Sequence, residues 1–473
     1  MAVLAGLLTV TSNGYGWHRD ELYFRMLPLQ WGYVDQPPFA PLLVGAMSSI
    51  VDEPWAIRVP ATLAAVLATL LAVLIAKEVG GGPFAQGLAA WGYAFGVFPL
   101  LAGHLMSTAS FDQVAWLAAI LFVMRAVWRG EPRWWVAFGA TVGLATYNKL
   151  LIALLVVSLI VGFAVAGPWR LPWRWVAVGA AVAVALALPA LLYQATNDWP
   201  QWAMGRALTA KNGAENRVLM WPLLLVLLGP LLVPVWVAGW WSLARRPAWR
   251  PLRFLAVALV AVLLLSFAAA GQVYYPLGLV AATYAVGCVP VAEWAAGQRI
   301  RRALLAVALL VDAGLAAVIS LPLVPLSELG HSGVPALNST VGDQVGWPAY
   351  VGQVAQAYQT LSADERRDGV VVTSNYGEAG AIDRFGPALG LPAAISGHNE
   401  LFRQARPPDR PVTLLAVGGG ALRRAQQNSS CTVLVQLDNG VGVPNEEQGQ
   451  PVAVCRDARE PWQAVWPQFR HLD

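Results

Sequence analysis

The sequence predicts a polytopic α-helical membrane protein with about eleven transmembrane helices and a C-terminal extracytoplasmic α/β domain. Three observations lead there: the composition, a succession of apolar runs almost free of charge, and a change of character after Leu321. Of 473 residues, 57% are hydrophobic and 12% charged, with a mean hydropathy of +0.54. A water-soluble globule of this length would carry about 25% charged residues. The net charge of +4 is mild, and nothing in its distribution points to a nucleic-acid partner; the dominance of Arg over Lys reads as genome composition.

The opening run, residues 1–11, is the shortest of the series. At ~1.5 Å per residue, about a dozen residues cover ~18 Å of a ~30 Å hydrocarbon core. No basic residue precedes it, so the expectation is a missing or misassigned N-terminal extension, with a cleaved signal peptide as the rival reading. A polar outer loop, 13–58, follows. Ten further apolar runs occupy 59–76, 83–101, 113–124, 134–147, 150–167, 175–193, 219–241, 254–270, 273–291 and 303–321.

Between alternate runs stand Lys77, then Arg125, Arg129 and Arg133, then Arg170 and Arg174, then Arg245, Arg246, Arg250 and Arg253, then Arg299, Arg301 and Arg302. Basic loops stay cytoplasmic, so these thirteen mark the inner side. The other loops hold only Arg19, Arg25, Arg58, Lys149, Arg206, Lys211 and Arg217, mixed with acids. An odd number of crossings puts the first loop and everything after Leu321 outside, in a multi-pass plasma-membrane protein. The stretch 134–169 lies between inner arginines and must cross twice, yet its ~54 Å as helix is too short for two full crossings. Its turn, at Tyr147-Asn148-Lys149, is therefore expected below the outer surface, where an ammonium is tolerated only in a protein-lined polar cavity or by snorkelling to the headgroups.

Residues 323–473 read as a soluble domain, and residues 1–322 as the membrane domain. Short apolar segments at 369–373, 393–396, 412–417 and 432–436 predict strands, interleaved with helical stretches near 377–389 and 421–427. An oxidising compartment makes a Cys431 to Cys455 disulfide the expectation, while Cys288 lies in a span.

For chemistry, several motifs are missing: no Walker A sequence, no dinucleotide fingerprint, no Cys-x-x-Cys and no His-Glu-x-x-His, so no nucleotide cofactor is implied. What remains is a set of acids at outer helix ends. Asp20 and Glu21 stand together in the first loop; Asp35 precedes Gln36-Pro37-Pro38; Asp112 follows Ser107-Thr108 at the fourth span. Such carboxylates can bind a divalent cation or supply a general base. Taken singly, each also reads as a solvated loop charge or a helix cap, and Asp112 as an acid in a helix first turn. Asp312 sits in mid-span without a role; His104 reads as an interfacial or packing residue, with a proton shuttle as the alternative, and His398 and Asn399 as surface loop, with an acceptor cleft in the outer domain as the alternative. Trp17, Trp31, Trp199 and Trp202 are candidates for sugar stacking within an aromatic belt.

The order Arg19-Asp20-Glu21-Leu22-Tyr23, Gly32-Tyr33-Val34-Asp35-Gln36-Pro37-Pro38, Arg58-Val59-Pro60 and Met106-Ser107-Thr108 with Asp112 resembles the bacterial branch related to protein O-mannosyltransferases. These are GT-C glycosyltransferases, a class that includes the transferase adding aminoarabinose to lipid A. The similarity continues through Asp198-Trp199-Pro200-Gln201, Gly271-Gln272-Val273-Tyr274-Tyr275, Asn375-Tyr376-Gly377-Glu378-Ala379-Gly380 and Ser396-Gly397-His398-Asn399.

The resemblance implies a GT-C-like fold and a transferase that moves a sugar, with inversion, from a polyprenyl-phosphate donor to an acceptor on the outer leaflet. It makes Asp20 the base, paired with Glu21, and gives Asp35 and Asp112 to a metal or the donor phosphate. Lys149, Arg206 or Lys211, and Tyr274-Tyr275 fall where relatives hold the phosphate, and Arg58 is a further cation at the interface, or a topology anchor. Gln36 and Gln272 depart from the pattern, since some relatives carry Lys there. The acceptor, whether lipid, glycan or protein hydroxyl, and the sugar, whether a hexose such as mannose or a pentose such as arabinose, are not legible. The main rival is a transporter of a lipid-linked or polar solute, which would show repeated halves with helices interrupted at mid-membrane; a noncatalytic scaffold or receptor is the other.

Overall fold

The computed structural model describes every residue except Trp169, Arg410 and Pro411. The stretch 134–169, read above as a double crossing, thus ends on a residue outside the described ones. The chain divides into two compact units: Met1–Ser12, Gln36–Ala40 and Arg58–Leu321 form the first, and Asn13–Asp35, Pro41–Ile57 and Pro322–Asp473 the second.

The first unit is a helical bundle. Among the described residues, six helices are long and apolar enough to cross a bilayer: Pro54–Glu78, Thr108–Trp128, Trp173–Thr196, Pro247–Ala268, Leu277–Trp294 and Arg299–Ser320. Two pairs, Pro83–Ala94 with Val97–His104 and Pro200–Val226 with Pro230–Arg245, bend by 60° and 75°, and bring the number to eight if each pair is one span. Ala2–Thr11, Trp134–Ala145 and Ile152–Ala166 are apolar but shorter, as is Phe39–Ser48, most of which belongs to the second unit.

The run 219–241, read from sequence as one span, is in fact divided between the two arms of the second bent pair. The cause is local. Gly229 takes φ +142°, Pro230 has no N–H to donate, and the helical ladder stops. The backbone N–H of Leu231, freed by the break, donates to Asp312 Oδ1 at 3.4 Å. The mid-span acid thus serves as acceptor for a broken helix, the kind of compensation that irregular backbone needs away from water.

Apolar helices gain little by hiding from lipid, so close backbone packing holds them. At the crossing of Trp134–Ala145 with Trp173–Thr196, a Cβ added to Gly139 would stand 1.9 Å from the Gly179 carbonyl oxygen. Elsewhere the buried Glu78 accepts from Arg125 at 3.2 Å and from Arg129 at 2.7 Å. Two arginines that sequence marks for topology therefore also neutralise a buried carboxylate, which unpaired would be costly.

In the second unit, a five-stranded sheet runs in the order β2-β1-β3-β5-β4, with β1 Val370–Thr373, β2 Ala394–Ser396, β3 Leu414–Val417, β4 Ser430–Gln436 and β5 Pro451–Arg456. β2 and β3 flank β1 in parallel, whereas β5 is antiparallel to β3 and β4. Sequence reading missed β5, whose apolar stretch is only Val452 to Val454. One face of the sheet packs Val372, Leu414, Ala416 and Ala453 against Trp462, Trp466 and Phe469. Cys431 and Cys455, directly opposite across β4 and β5, are joined by a disulfide.

Candidate active site

In the second unit, Asp20 lies in the first turn of the helix Arg19–Met26. That helix starts where it does because His18 caps it: His18 Nδ1 accepts from Asp20 N at 3.2 Å, and Glu21 returns a carboxylate to His18 N at 2.9 Å. A reciprocal box of this kind satisfies the first backbone donors. Glu21, expected beside Asp20 in the chemistry, is fully buried and closes this cap.

The helix docks on a second one, Tyr376–Phe385, whose start decodes the motif Asn375-Tyr376-Gly377-Glu378-Ala379-Gly380. Asn375 caps it by accepting from Glu378 N at 2.9 Å. Gly380 lets the two backbones meet, since a Cβ there would stand 2.7 Å from the carbonyl carbon of Leu22. Tyr376 is thereby brought to Asp20, and its hydroxyl donates to Asp20 Oδ1 at 2.9 Å. Burial, reinforced by the Asp20 charge, raises the Tyr376 phenol well above its ordinary range, so it remains protonated and can only donate toward the carboxylate. The Arg19 guanidinium lies 4.9 Å from the Tyr376 ring centre and pairs with Glu446 at 2.6 Å.

Tyr376 sits at the middle of a column of four rings. Tyr23, one turn after Asp20, stacks on Tyr376 at 4.6 Å; Tyr376 stacks on His398 at 4.8 Å, and His398 on His471 at 4.5 Å. Tyr376 and His398 follow the carboxyl ends of β1 and β2, where strand order reverses about β1. Open α/β sheets place their ligand sites at such a switch point. His398 and Asn399, expected on the surface, are both buried. His398 accepts from Tyr376 N at 3.2 Å and pairs with Asp473.

Asp35 belongs to the same neighbourhood: the Tyr23 hydroxyl donates to its Oδ1 at 3.2 Å, and Glu400 N approaches Tyr23 at 3.4 Å. Burial, with the charges of Glu400 and Asp20, pushes the Asp35 carboxyl up to about 7 against the opposing Tyr23 hydrogen bond. Tyr23 and Tyr376 stand in the motifs quoted from sequence but carry no role there, and Glu400 and His471 have no place in the sequence reading. Tyr23 was findable, because three residues after Asp20 puts it on the same helix face; His471 leaves no local signal.

In the first unit, the turn after Trp134–Ala145 carries Lys149. Its ammonium donates to Tyr274 at 3.0 Å and lies 4.8 Å and 5.1 Å from the Tyr274 and Tyr275 ring centres. It therefore turns toward protein rather than snorkelling outward. Asn148 anchors the turn by donating to Thr108 O at 2.8 Å, at the head of the helix that carries the buried Asp112, whose charge acts on Lys149. Asp112 lies past the first turn, which holds no acid.

The remaining predicted residues fall elsewhere. Arg58 is buried and donates to the Ser12 carbonyl, closing the end of Ala2–Thr11. Arg206 and Lys211 lie on exposed positions of Pro200–Val226. Trp17 is buried, whereas Trp31, Trp199 and Trp202 are exposed.

A divalent cation asks for several ligands with convergent lone pairs. Among the described residues, His398, His471 and Asp473 are the cluster with suitable atoms, all within 4.8 Å of one another. As placed, the two rings are parallel to within 12°, and the His471 nitrogens face the Phe469 and Ser374 carbonyls at 2.8 Å and 2.9 Å. Binding an ion there would require His471 to give up those contacts. Asp35 and Asp112 are single carboxylates in different units, and no ligand cluster forms around either among the described residues.

Bundle and layer together define a multi-pass membrane protein of the GT-C glycosyltransferase fold. Residues 35–193 match the family described as dolichyl-phosphate-mannose-protein mannosyltransferase. Among solved structures, the fold is similar to ArnT from Cupriavidus metallidurans bound to undecaprenyl phosphate, with a TM-score of 0.61, 15% identity and 96% of each chain covered. The apo form of the same protein gives 0.60 at 16% identity, again over 96% of each chain. The arabinofuranosyltransferase AftD from Mycobacteria matches over 97% of this chain and 40% of its own, at a TM-score of 0.53 and 13% identity. No curated protein sequence matches the chain.

Proposed function

We propose that this protein transfers a sugar from a polyprenyl-phosphate donor to a hydroxyl of an acceptor at the extracytoplasmic face, with inversion at the anomeric carbon. The observation that carries the reading is the Asp20 carboxylate: one oxygen is fixed by Tyr376, and the other takes no hydrogen bond among the described residues. A carboxylate presented in this way suits a general base. It would take the acceptor proton as the acceptor oxygen bonds to the anomeric carbon and the bond to the polyprenyl phosphate breaks.

The leaving phosphate gains charge as that bond breaks, and Lys149 with Tyr274 and Tyr275 offers one cation and two hydroxyls to receive it. Arg206 and Lys211 are the further cations assigned to the donor. Two comparisons support this choice of donor: the mannosyltransferase family match over residues 35–193, and the undecaprenyl phosphate bound by the similarly folded ArnT. Among the described residues, Asp35 and Asp112, the acids assigned to a metal, gather no ligand cluster, so no step is routed through one.

The test has two parts. Mass spectrometry of lipids that copurify with the protein identifies the donor, and that lipid is then used in a transfer assay. Asp20→Asn should lower turnover by about 10²- to 10⁴-fold, the range of a lost general base, while the copurifying lipid is retained. Full turnover by Asp20→Asn would remove Asp20 from its role.

A further inference from the structure

The five-stranded sheet of this chain, β1 to β5, follows the helical bundle in sequence, and nothing in the motif Asn375-Tyr376-Gly377-Glu378 by itself gives it a part in transfer. Its geometry does. The Tyr376 hydroxyl donates to Asp20 Oδ1 at 2.9 Å, and its ring is clamped between Tyr23 at 4.6 Å and His398 at 4.8 Å. A ring held on both faces has one orientation to offer. A phenol that can only donate, aimed at one carboxylate oxygen, fixes where the other oxygen points.

We propose that Tyr376 is the positioning residue for Asp20, so that the α/β layer sets the aim of the base within the transfer reaction. The inference rests on the reading of Asp20 as general base. The support of Tyr376 is itself complete. Its backbone N–H donates to His398 Nδ1, His398 carries its other nitrogen to Asp473, and the segment 397–399 is tied to the chain end through Asn399 N to His471 O at 3.0 Å and His471 N to Gly397 O at 3.0 Å. Tyr376 does not touch a reacting atom in this scheme; it acts through Asp20.

Tyr376→Phe keeps the ring in its stack and removes only the aiming hydroxyl. Because about 1 Å of misplacement can cost on the order of 10²-fold in rate, kcat should fall about 10- to 100-fold with the donor KM unchanged. A merely structural residue would not separate kcat from KM in this way. Gly380→Ala is the independent second variant: its Cβ meets the Leu22 backbone, lifts the Asp20 helix from Tyr376 with the hydroxyl intact, and should lower kcat likewise.

If Asp20→Asn is inactive while Tyr376→Phe and Gly380→Ala both keep full kcat, this inference fails and the base assignment stands. If Asp20→Asn is itself fully active, the base assignment fails and takes this inference with it.

Discussion

Replacing Lys149 by Met tests the donor end of the reaction. The ammonium makes one hydrogen bond of 3.0 Å to Tyr274 and lies 4.8 Å and 5.1 Å from two ring centres. A hydrogen bond to a charged group contributes about 1.5–3 kcal/mol, and each cation–π contact about 0.5–1 kcal/mol in partly wet surroundings. Those are local terms, shared with the resting protein. A phosphate about 4 Å from the ammonium, at an effective dielectric constant near 20, adds about 4 kcal/mol. Desolvation offsets part of it, so the expected loss is on the order of 10²- to 10³-fold in turnover. Tyr274→Phe removes a single hydrogen bond and should cost about tenfold or less. The assay is transfer from the copurified polyprenyl-phosphate sugar in detergent micelles, alongside competition by free polyprenyl phosphate, which Lys149→Met should weaken. A folded Lys149→Met protein with turnover within about threefold of the parent would refute the phosphate role.

Two further outcomes follow from the structure. The Asp35 carboxyl titrates near 7 in the folded chain against an ordinary 3.8, so the native state holds its proton more tightly. Its stabilisation is fully present below about 4 and is lost as pH rises through about 7; the unfolding midpoint of the parent should fall between pH 5 and pH 8 more steeply than that of Asp35→Asn, and parallel curves would dismiss the effect. Asp312→Ala removes the acceptor for Leu231 N–H and should cost about 0.5–2 kcal/mol, as lost caps do, with Asp312→Asn much milder; equal melting temperatures for all three proteins would exclude the capping role.

Much of this architecture can be read from residues in order. The bundle is legible because bilayer thickness forces long apolar runs, and four of the five strands because short apolar segments alternate with helical ones. The internal breaks are less so. Gly229-Pro230 was visible, but only the distant Asp312 explains how a break there is tolerated. The helix Trp347–Gln359 was passed over, although Trp347, Tyr350, Val351, Val354 and Tyr358 repeat at helical spacing on its buried face.

For the site, sequence locates Asp20 and Lys149 but not what surrounds them. Glu21 and Arg58 carry chemistry-bearing side chains spent on helix ends, and a cap looks like a catalytic acid until its partner is known. The ring column joins positions 23, 376, 398 and 471, and no spacing rule links such distant places.

Residues 13–35 and 41–57 pack into one body with residues 322–473, not with the helical bundle of residues 58–321 that lies between them in the chain. Any chimera that exchanges the globular part between relatives by cutting near Leu321 would thus pair each acidic loop with a foreign tyrosine. Grafts that carry these segments together should preserve that pairing, so the natural unit of exchange in this protein is discontinuous.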